Sequence, residues 1–313
     1  MPAKRSGGLV TLNWRRWPKS VMLCPGDGNT AKGELMVSGR AIDHVVLAVR
    51  DLDRAAETYE KLGFTLTPRA AHADHMGTSN RLAQFQGRNF IELLEVDRPD
   101  RLTRHDFSAS PPFFSFGDHN RQALQEREGL SMLVFAGNDA RADIRNFVAA
   151  GLTAFAPFDF ERPAVLPDGS VGTVAFSLAF VQPPQMPKVA FFVCENRAPD
   201  LFWKSQYQKH ANGAHHIAAV YLASRNAAHD AALVGKMFGG DIQTISGGFR
   251  VACGPTQELR VLAPQAIAKC DPSSVDAQTQ TPVLAGIALA TSEVREVTPA
   301  RHANGMFIEW VAM

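Results

Sequence analysis

The sequence of 313 residues has no long hydrophobic run, no closely paired cysteines and no excess of charge of either sign. No apolar stretch approaches the roughly 20 residues that a spanning helix needs, which excludes a membrane protein. The 32 basic and 31 acidic side chains leave a net charge of +1, so the chain has no electrostatic footprint for nucleic acid or an anionic membrane. Four cysteines without CxxC spacing do not make a disulfide scaffold, and they predict reduced thiols in a cytoplasmic protein.

Nucleotide-binding signatures are missing as well. The stretch from Gly28 to Gly33 resembles a phosphate loop, but Glu34 and Leu35 follow it where Lys and Ser or Thr are required. We therefore expect no nucleotide cofactor. Residues 1–40 mix Gly, Pro, Lys and Arg with few periodic apolar positions, which predicts a weakly ordered leader.

What the sequence does contain is an internal repeat. Residues 41–68 and 129–157 each have the pattern of a short apolar strand, an amphipathic helix and a second strand, and two further strands follow each copy. Each helix has an Asp before it and a Gly after it: Asp51 and Gly63 in the first copy, Asp139 and Gly151 in the second. Asp caps the free amides of a first helical turn, and Gly adopts the left-handed conformation that ends a helix.

Two more copies follow in the second half of the chain. The third contains a helix around 227–238, whereas the fourth keeps only a first strand (285–291) and a last strand (305–311). A β-α-β-β-β unit cannot cover its own sheet face, so such units must pair. The sequence thus predicts an α+β protein of about four βαβββ modules, paired into two curved-sheet domains over 41–205 and 206–313, each with helices outside and a cleft inside.

Three segments carry a family resemblance: IDHVVL at 42–47, HMGTSNRL at 75–82 and FIELL at 90–94. They resemble the vicinal oxygen chelate superfamily, which includes glyoxalase I, extradiol dioxygenases and binding proteins of the bleomycin-resistance type. The resemblance covers residues 41–313 and is closest to the glyoxalase-like branch. It implies the fold but no single activity, because the superfamily includes isomerases, lyases, dioxygenases and proteins that only bind a ligand.

The resemblance also implies a divalent-metal site at His44 and Glu92. Metal-using members hold one ion with a His or Gln on the first strand and a Glu on the fourth strand of paired modules, and these two residues occupy such places. Their strand neighbours are apolar, so an ionised Glu92 would be costly to bury unless something neutralised it. Imidazole and carboxylate together suit Zn, Mn, Fe, Ni or Co. The alternative remains open that His44 is a hydrogen-bonded strand histidine and that Glu92 pairs with Arg81 or Arg88.

The other modules lack the remaining ligands. Met132 and Phe192 take the two positions in the second module, and Ala219 and Arg260 take them in the third. Glu309 of the fourth module repeats the Phe-Ile-Glu motif, which we interpret as a trace of ancestry that serves no site. The activities of glyoxalase I and of an extradiol dioxygenase are therefore not expected. We place the ligand in the first domain and expect the cleft of the second to be partly filled or too shallow for a ligand.

Further candidates lie in and before the segment HMGTSNRL of the first module. His72 and His75 precede a Gly-Thr pair in a predicted loop, which could fold over the cleft and supply a third metal ligand or a catalytic base. The alternative is that both are solvent-exposed loop residues. Asn80 and Arg81 open the next strand and are predicted to bind substrate, since Arg binds a carboxylate through two hydrogen bonds. Trp203, in the stretch between the two domains, is expected to pack between the halves.

Two functional hypotheses remain open. In the first, the chain is a lyase or isomerase in which His44 and Glu92 hold a divalent ion that stabilises an enolate-like intermediate. In the second, it is a metal-free protein that binds or sequesters a small molecule. The partner is a small organic molecule in both cases, and a homodimer is left open. Many Phe residues of the second module are predicted to be core, and any that line the cleft would favour a flat or apolar ligand.

Overall fold

The computed structural model of the protein describes residues 37–153, 155–165 and 171–313. Most of the predicted leader, residues 1–36, lies outside these ranges. The residues that follow are held by other parts of the chain, since the Gly39 amide donates to the Ala252 carbonyl and the Arg40 guanidinium pairs with Asp143. None of the helices within the described ranges is long and apolar enough to cross a membrane.

The first half of the chain contains two complete modules. The first module consists of β1 (Ile42–Ala48), α1 (Leu52–Lys61), β2 (Ala70–Ala71), β3 (Ser79–Gln84) and β4 (Phe90–Glu95). A connecting helix, α2 (Phe116–Glu126), leads to the second module, which consists of β5 (Gly129–Gly137), α3 (Ala140–Ala149), β6 (Phe158–Val165), β7 (Val171–Val181) and β8 (Ala190–Asn196). The eight strands form one sheet in the order β2-β3-β4-β1-β5-β8-β7-β6, with β1 and β5 antiparallel at its centre.

The ends of the module helices follow from local sequence, as predicted. The side chains of Asp51 and Asp139 each accept a hydrogen bond from the amide three residues later, which satisfies one of the free donors of the first turn. Gly63 and Gly151 follow the helices with φ angles of +89° and +76°. A side chain at either position would be strained, because only Gly adopts this region freely.

The second half contains one complete module and one abbreviated module. A short helix, α4 (Pro199–Phe202), lies in the connection between the halves. The third module consists of β9 (Ala214–Ala223), α5 (Ala227–Phe238), β10 (Ile242–Ile245), β11 (Gly248–Cys253) and β12 (Gln257–Leu262). The remaining elements are α6 (Pro264–Cys270), β13 (Val283–Thr291) and β14 (Phe307–Ala312), which complete a sheet in the order β10-β11-β12-β9-β13-β14. The predicted α+β class and the two curved sheets of paired modules are thereby confirmed.

The two sheets pack against each other through one face each. Side chains from both sheets and from α1, α3 and α5 form one large hydrophobic cluster, in which Leu47 of β1 and Leu222 of β9 are fully buried. Successive side chains of a strand point to opposite faces of the sheet. His44 and Val46 therefore point to the other face of the eight-stranded sheet, where a second cluster surrounds a cleft.

The corresponding face of the six-stranded sheet is partly filled, as expected. Ile267 of α6 and Val275 in the loop after it pack against Tyr221 and Phe307 in a separate hydrophobic cluster. Neither α2 nor α6 was predicted from the sequence. In α2 the buried side chains are confined to the first five residues, and α6 has only seven residues, so neither has a long amphipathic period.

His119 of α2 gives the fold a predicted dependence on pH. Its side chain is buried, its Nε2–H donates to the Ser131 carbonyl at 3.2 Å, and burial lowers its pKa to about 4. The unfolded chain has a histidine pKa near 6.5 and takes up a proton that the folded protein excludes. The contribution of His119 to the free energy of unfolding is therefore fully present above about pH 6.5. It falls by about 3 kcal/mol as the pH decreases toward 4. In thermal unfolding between pH 8 and 5, we expect His119→Gln to show a weaker pH dependence than the wild type; an unchanged dependence would contradict this assignment.

Candidate ligand-binding site

A cleft with about 570 Å³ of empty space, part of it open to solvent, lies on the open face of the eight-stranded sheet. Its walls are mainly aromatic and come from both modules, from α2 and from α4: Phe90, Phe116, Phe160, Phe176, Phe192 and Phe202. Five of the polar residues that line it form one contiguous group: Asp43, His44, His72, Asn80 and Glu92. Apolar walls with a few convergent polar groups are typical of a small-molecule site.

His44 is held in one orientation by its neighbours. Its ring stacks on Phe90 at a centroid distance of 4.2 Å and an interplanar angle of 13°, and Phe192 contacts it edge-on at 5.6 Å. Nδ1 lies 2.5 Å from Oδ1 of Asp43, and Nε2 lies 3.7 Å from Oε2 of Glu92. Because a carboxylate only accepts hydrogen bonds, Nδ1 of His44 carries a proton and donates a hydrogen bond to Asp43. Nε2 is consequently the ring atom that faces Glu92.

Asp43 reaches the cleft because β1 contains a bulge. Ile42 pairs with Phe135 of β5, and His44 already pairs with the next residue, Val134, so Asp43 is an extra residue in the strand. Strict alternation would place Asp43 on the packed face with Val45, and for this reason the sequence pattern did not identify it as a site residue. The amino-acid sequence of β1 contains no feature that indicates the bulge.

Glu92 is buried at 4% exposure and is supported by Asn80. Asn80 Nδ2 donates to Oε1 of Glu92 at 2.6 Å and lies 3.1 Å from Nε2 of His72. The same Oε1 atom is 3.6 Å from His72 Nε2. Asn80 and Glu92 are neighbours because β3 and β4 are antiparallel and both side chains point to the cleft face. A charge-assisted hydrogen bond of this kind stabilises a buried carboxylate.

The turn between β2 and β3 brings His72 into the group. The His72 amide donates to the Thr78 carbonyl at 2.9 Å, and Nδ1 of its ring lies 2.8 Å from the Thr78 hydroxyl. A 3₁₀ turn at Asp74–Met76 closes the loop, and Gly77 follows it with φ of +64°. His75 lies on this turn, is exposed, and contacts the ring of Phe158 at 5.8 Å.

The structure thus brings together four of the six residues predicted from the sequence: His44, His72, Asn80 and Glu92. It does not bring His75 into the cavity, and it places Arg81 on the other face of β3, where its guanidinium lies 3.4 Å from Glu60 of α1. Arg81 thus contacts Glu60, and the guanidinium of Arg88 lies over the ring of Trp203, 5.7 Å from its centroid. The role of each of these residues in binding or catalysis remains a prediction.

Sequence reasoning missed several lining residues besides Asp43. Phe116 comes from the unpredicted helix α2, and Phe202 comes from the connection between the halves. Trp203, which we expected between the two halves, contacts Phe90 and Phe202 beside the cavity. Cys194 also lines the cavity, but burial, together with the nearby carboxylates, raises the pKa of its thiol well above the ordinary value. The Cys194 thiol therefore stays protonated and is neither a nucleophile nor a ready metal ligand.

A family model described as a glyoxalase-like domain matches residues 42–237, which is more than half of the chain. This protein belongs to the glyoxalase-like family. The family lies within the vicinal oxygen chelate superfamily, as the sequence motifs implied.

Two solved structures are among those similar to this chain. A hypothetical protein from Staphylococcus aureus is similar over 87% of this glyoxalase-like chain and 99% of its own, with a TM-score of 0.65 and 15% identity. A methylmalonyl-CoA epimerase from Streptomyces coelicolor is similar over 50% of this chain and 97% of its own, with a TM-score of 0.34 and 19% identity. The comparison with curated proteins found no match. At 15% identity, the likeness to the first of these structures shows a shared fold alone.

The donor set of the glyoxalase-like cleft does not complete a metal site. His44 Nε2 and Glu92 Oε2 face each other, but Met132 and Phe192 stand at the matching positions of the second module. In the described part of the chain, no three or more His, Cys, Asp or Glu side chains are grouped so that they could hold a metal ion. Because a buried structural or catalytic site usually has three or four protein ligands, the described residues of this cleft do not by themselves fit a resident metal ion.

The second cleft of this glyoxalase-like chain contains a buried polar network where we expected an idle carboxylate. Glu309 of β14 accepts hydrogen bonds from the Tyr221 hydroxyl and from Nη1 of Arg260, the latter at 3.3 Å. Arg260 also donates to Tyr221 at 2.5 Å and pairs with Glu258. Burial lowers the pKa of Arg260, but Tyr221 and the two carboxylates outweigh it and raise the pKa above its ordinary value. Glu309 is therefore an internal ion-pair partner, a role that the repeat of Phe-Ile-Glu did not indicate.

Proposed function

We propose that this glyoxalase-like protein binds a small, flat and largely apolar organic molecule in the first cleft, without a resident metal ion. One observation carries the proposal: the buried pair of His44 and Glu92 lies in a cavity walled by six Phe side chains, and the described residues form no group of three His, Cys, Asp or Glu side chains that could hold a metal ion. Binding or sequestration is the function that this combination supports best.

The two kinds of lining residue have different tasks. The aromatic walls remove the body of the ligand from water, and apolar burial supplies most of the affinity at about 25 cal/mol per Å². The polar group orients the ligand. Glu92 is held in place by Asn80, and His44 is held by Asp43 and Phe90, so both present fixed atoms to the cavity. Fixed polar groups lower the ordering cost of binding.

A divalent-metal-dependent lyase or isomerase is the second candidate. Its support is the Asp43–His44 contact, since metal-bound histidines usually donate their other ring N–H to a carboxylate or a carbonyl. His44 and Glu92 would be the holders of such an ion, and a bound ion would act as a Lewis acid on oxygens of the substrate. Because the described residues form no group of three such ligands, we rank this function below metal-free binding.

Metal content distinguishes the two candidates. We expect elemental analysis of the purified protein to find well below one Zn, Mn, Fe, Ni or Co ion per chain, because two protein donors do not retain an ion through purification. His44→Ala should give the same result, and His75→Ala is the matched control because His75 is exposed outside the cavity. One ion per chain in the wild type and in His75→Ala, lost in His44→Ala, would overturn the proposal in favour of the enzyme.

A further inference from the structure

A groove separate from both clefts lies between the two halves of the chain. It has about 1240 Å³ of empty space, part of it open to solvent, and it shares no lining residue with the first cleft. One wall comes from the end of β1 and the first turns of α1. The other wall comes from the 3₁₀ turn Ala300–His302, which precedes β14, and from the residues after it. Glu128 joins the two walls, since its Oε2 atom accepts a hydrogen bond from Asn304 Nδ2 at 3.2 Å.

Three exposed arginines border this groove, which we call the arginine groove: Arg50, Arg54 and Arg301. Most of the other described arginines have a carboxylate oxygen within 4.0 Å of the guanidinium group. Among the residues that the structure describes, the three arginines of the groove have no such carboxylate partner. Their positive charges are therefore not neutralised by ion pairs within the described fold.

Two carboxylates also border the arginine groove, and each is engaged by a backbone amide. Oε1 of Glu128 accepts a hydrogen bond from the Arg50 amide at 2.7 Å, and Oδ1 of Asp51 accepts one from the Arg54 amide at 2.9 Å as the cap of α1. Three guanidinium groups and two carboxylates leave a net charge of +1 around the groove. The binding of an anion therefore depends on hydrogen bonds from the guanidinium groups as well as on charge.

The guanidinium groups have many N–H donors left for a ligand. Arg50 Nη2 donates to the Leu124 carbonyl of α2 at 3.0 Å, and Arg301 Nε donates to His302 Nε2 at 3.2 Å. Arg54 takes part in hydrogen bonds through its backbone alone in the described structure. Because a guanidinium has five N–H groups, these contacts use only a small part of the donors. The first two contacts also hold their guanidinium groups in place before a ligand arrives, which lowers the cost of binding.

The placement of these arginines does not serve the fold. Arg54 lies in the first turn of α1, where a cation is unfavourable because the aligned peptide dipoles make this end of the helix positive. Three cations around one groove also repel one another. Positions that break a local rule without a structural gain are typical of functional sites. A bound anion would remove both costs at once.

We propose that the arginine groove binds a small anionic molecule with at least two phosphate or carboxylate groups. A guanidinium binds either kind of group through paired, charge-assisted hydrogen bonds. Arg50 and Arg54 belong to the first module and Arg301 belongs to the fourth, so a ligand with two anionic groups contacts both walls and bridges the two halves of the chain. The site is independent of the ligand of the first cleft.

Inorganic pyrophosphate is the probe, and orthophosphate is the comparison with one phosphate group. In isothermal titration calorimetry at constant ionic strength without divalent cations, we expect pyrophosphate to bind about fivefold more tightly than orthophosphate. The double variant Arg54→Gln, Arg301→Gln should weaken the binding of pyrophosphate by about 20-fold, because it removes one cation from each wall. Both side chains are exposed, so the variant should remain folded by circular dichroism. A parallel titration with citrate shows whether the groove prefers carboxylate or phosphate groups.

Two controls accompany the double variant. Arg145→Gln makes the same change on α3, the corresponding helix of the second module, at an exposed position outside the groove. It should bind pyrophosphate within about twofold of the wild type. The second control is 2-naphthol, a flat probe of the first cleft with one hydroxyl group. Its affinity should be the same in the wild type and in the double variant, because the two sites share no lining residue.

The outcomes separate this site from the function proposed for the first cleft. Equal weakening by Arg145→Gln and by the double variant would show a response to overall charge and would overturn the proposal. So would the absence of binding of both pyrophosphate and citrate at millimolar concentrations, or binding of a short single-stranded DNA in place of either. Each of these results leaves the first cleft untouched. A failure of 2-naphthol to bind counts against the proposed function and not against the arginine groove.

Discussion

Glu92→Gln should weaken the binding of 2-naphthol by about 100-fold while the protein remains folded. The substitution preserves the size of the side chain but replaces a charged acceptor in the cavity with a neutral amide, and a hydrogen bond to a charged group contributes about 1.5–3 kcal/mol. The amide oxygen of the glutamine can still accept the hydrogen bond from Asn80 of β3, so we expect the side chain to keep its position. Isothermal titration calorimetry measures the loss, and circular dichroism and the melting temperature measure the fold.

The matched control is Glu309→Gln, which makes the same change at the corresponding position of the fourth module. Because Glu309 lies in the partly filled second cleft, we expect the affinity for 2-naphthol to stay within about twofold of the wild type. Loss of binding in Glu309→Gln with full binding in Glu92→Gln would show that the ligand occupies the second cleft. Loss in both would show that the first and fourth modules share one site.

Arg260→Met should have the largest effect on stability among the substitutions considered. It leaves the Glu309 carboxylate buried without its cation, and the two side chains are only 11% and 6% exposed. Removal of one partner of a buried ion pair costs about 3–5 kcal/mol. Since a folded domain is stable by only about 5–15 kcal/mol, the loss should be evident in urea unfolding as a lower midpoint.

The double variant Arg260→Met, Glu309→Met tests the cause of that loss. Replacement of both members of a buried ion pair by apolar side chains is often close to neutral, so the double variant should recover most of the stability. A double variant as unstable as Arg260→Met would show that the guanidinium acts through Tyr221 and Glu258 rather than through Glu309. Affinity for 2-naphthol should be unaffected in all of these proteins, because the network lies outside the first cleft.

The module pattern was accessible from the sequence because its signals are local. Capping by Asp51 and Asp139 and the glycines after the helices depend on residues within one turn of the helix end. The third-module helix was predicted over the same residues that the structure gives, Ala227–Phe238, and the absence of room for a helix in the fourth module was a matter of chain length. The helices α2 and α6 had no comparable signal.

The candidate site was accessible only in part. Alternation along β1 and β4 placed His44 and Glu92 on the cleft face, since the direction of a side chain in a regular strand depends on parity alone. The same alternation assigned Asp43 to the wrong face, because a bulge adds one residue to β1 at this point. Alternation also could not rank His72 above His75, because the seven-residue loop between β2 and β3 decides which of the two rings turns inward.

The sequence by itself determined the number of modules, the order of their elements and the two strand residues that point into the first cleft. These properties follow from capping and from periods of two and 3.6 residues, which act within a single element. Only the tertiary structure decided which chemistry surrounds those residues: the turn of Asp43 toward His44, the contact of Arg81 with Glu60, and the aromatic walls that α2 and α4 contribute. The physical reason is that apolar burial has no direction. A sequence shows that a Phe will be buried, but the pairing of distant strands decides whether it lies in a core or beside a ligand.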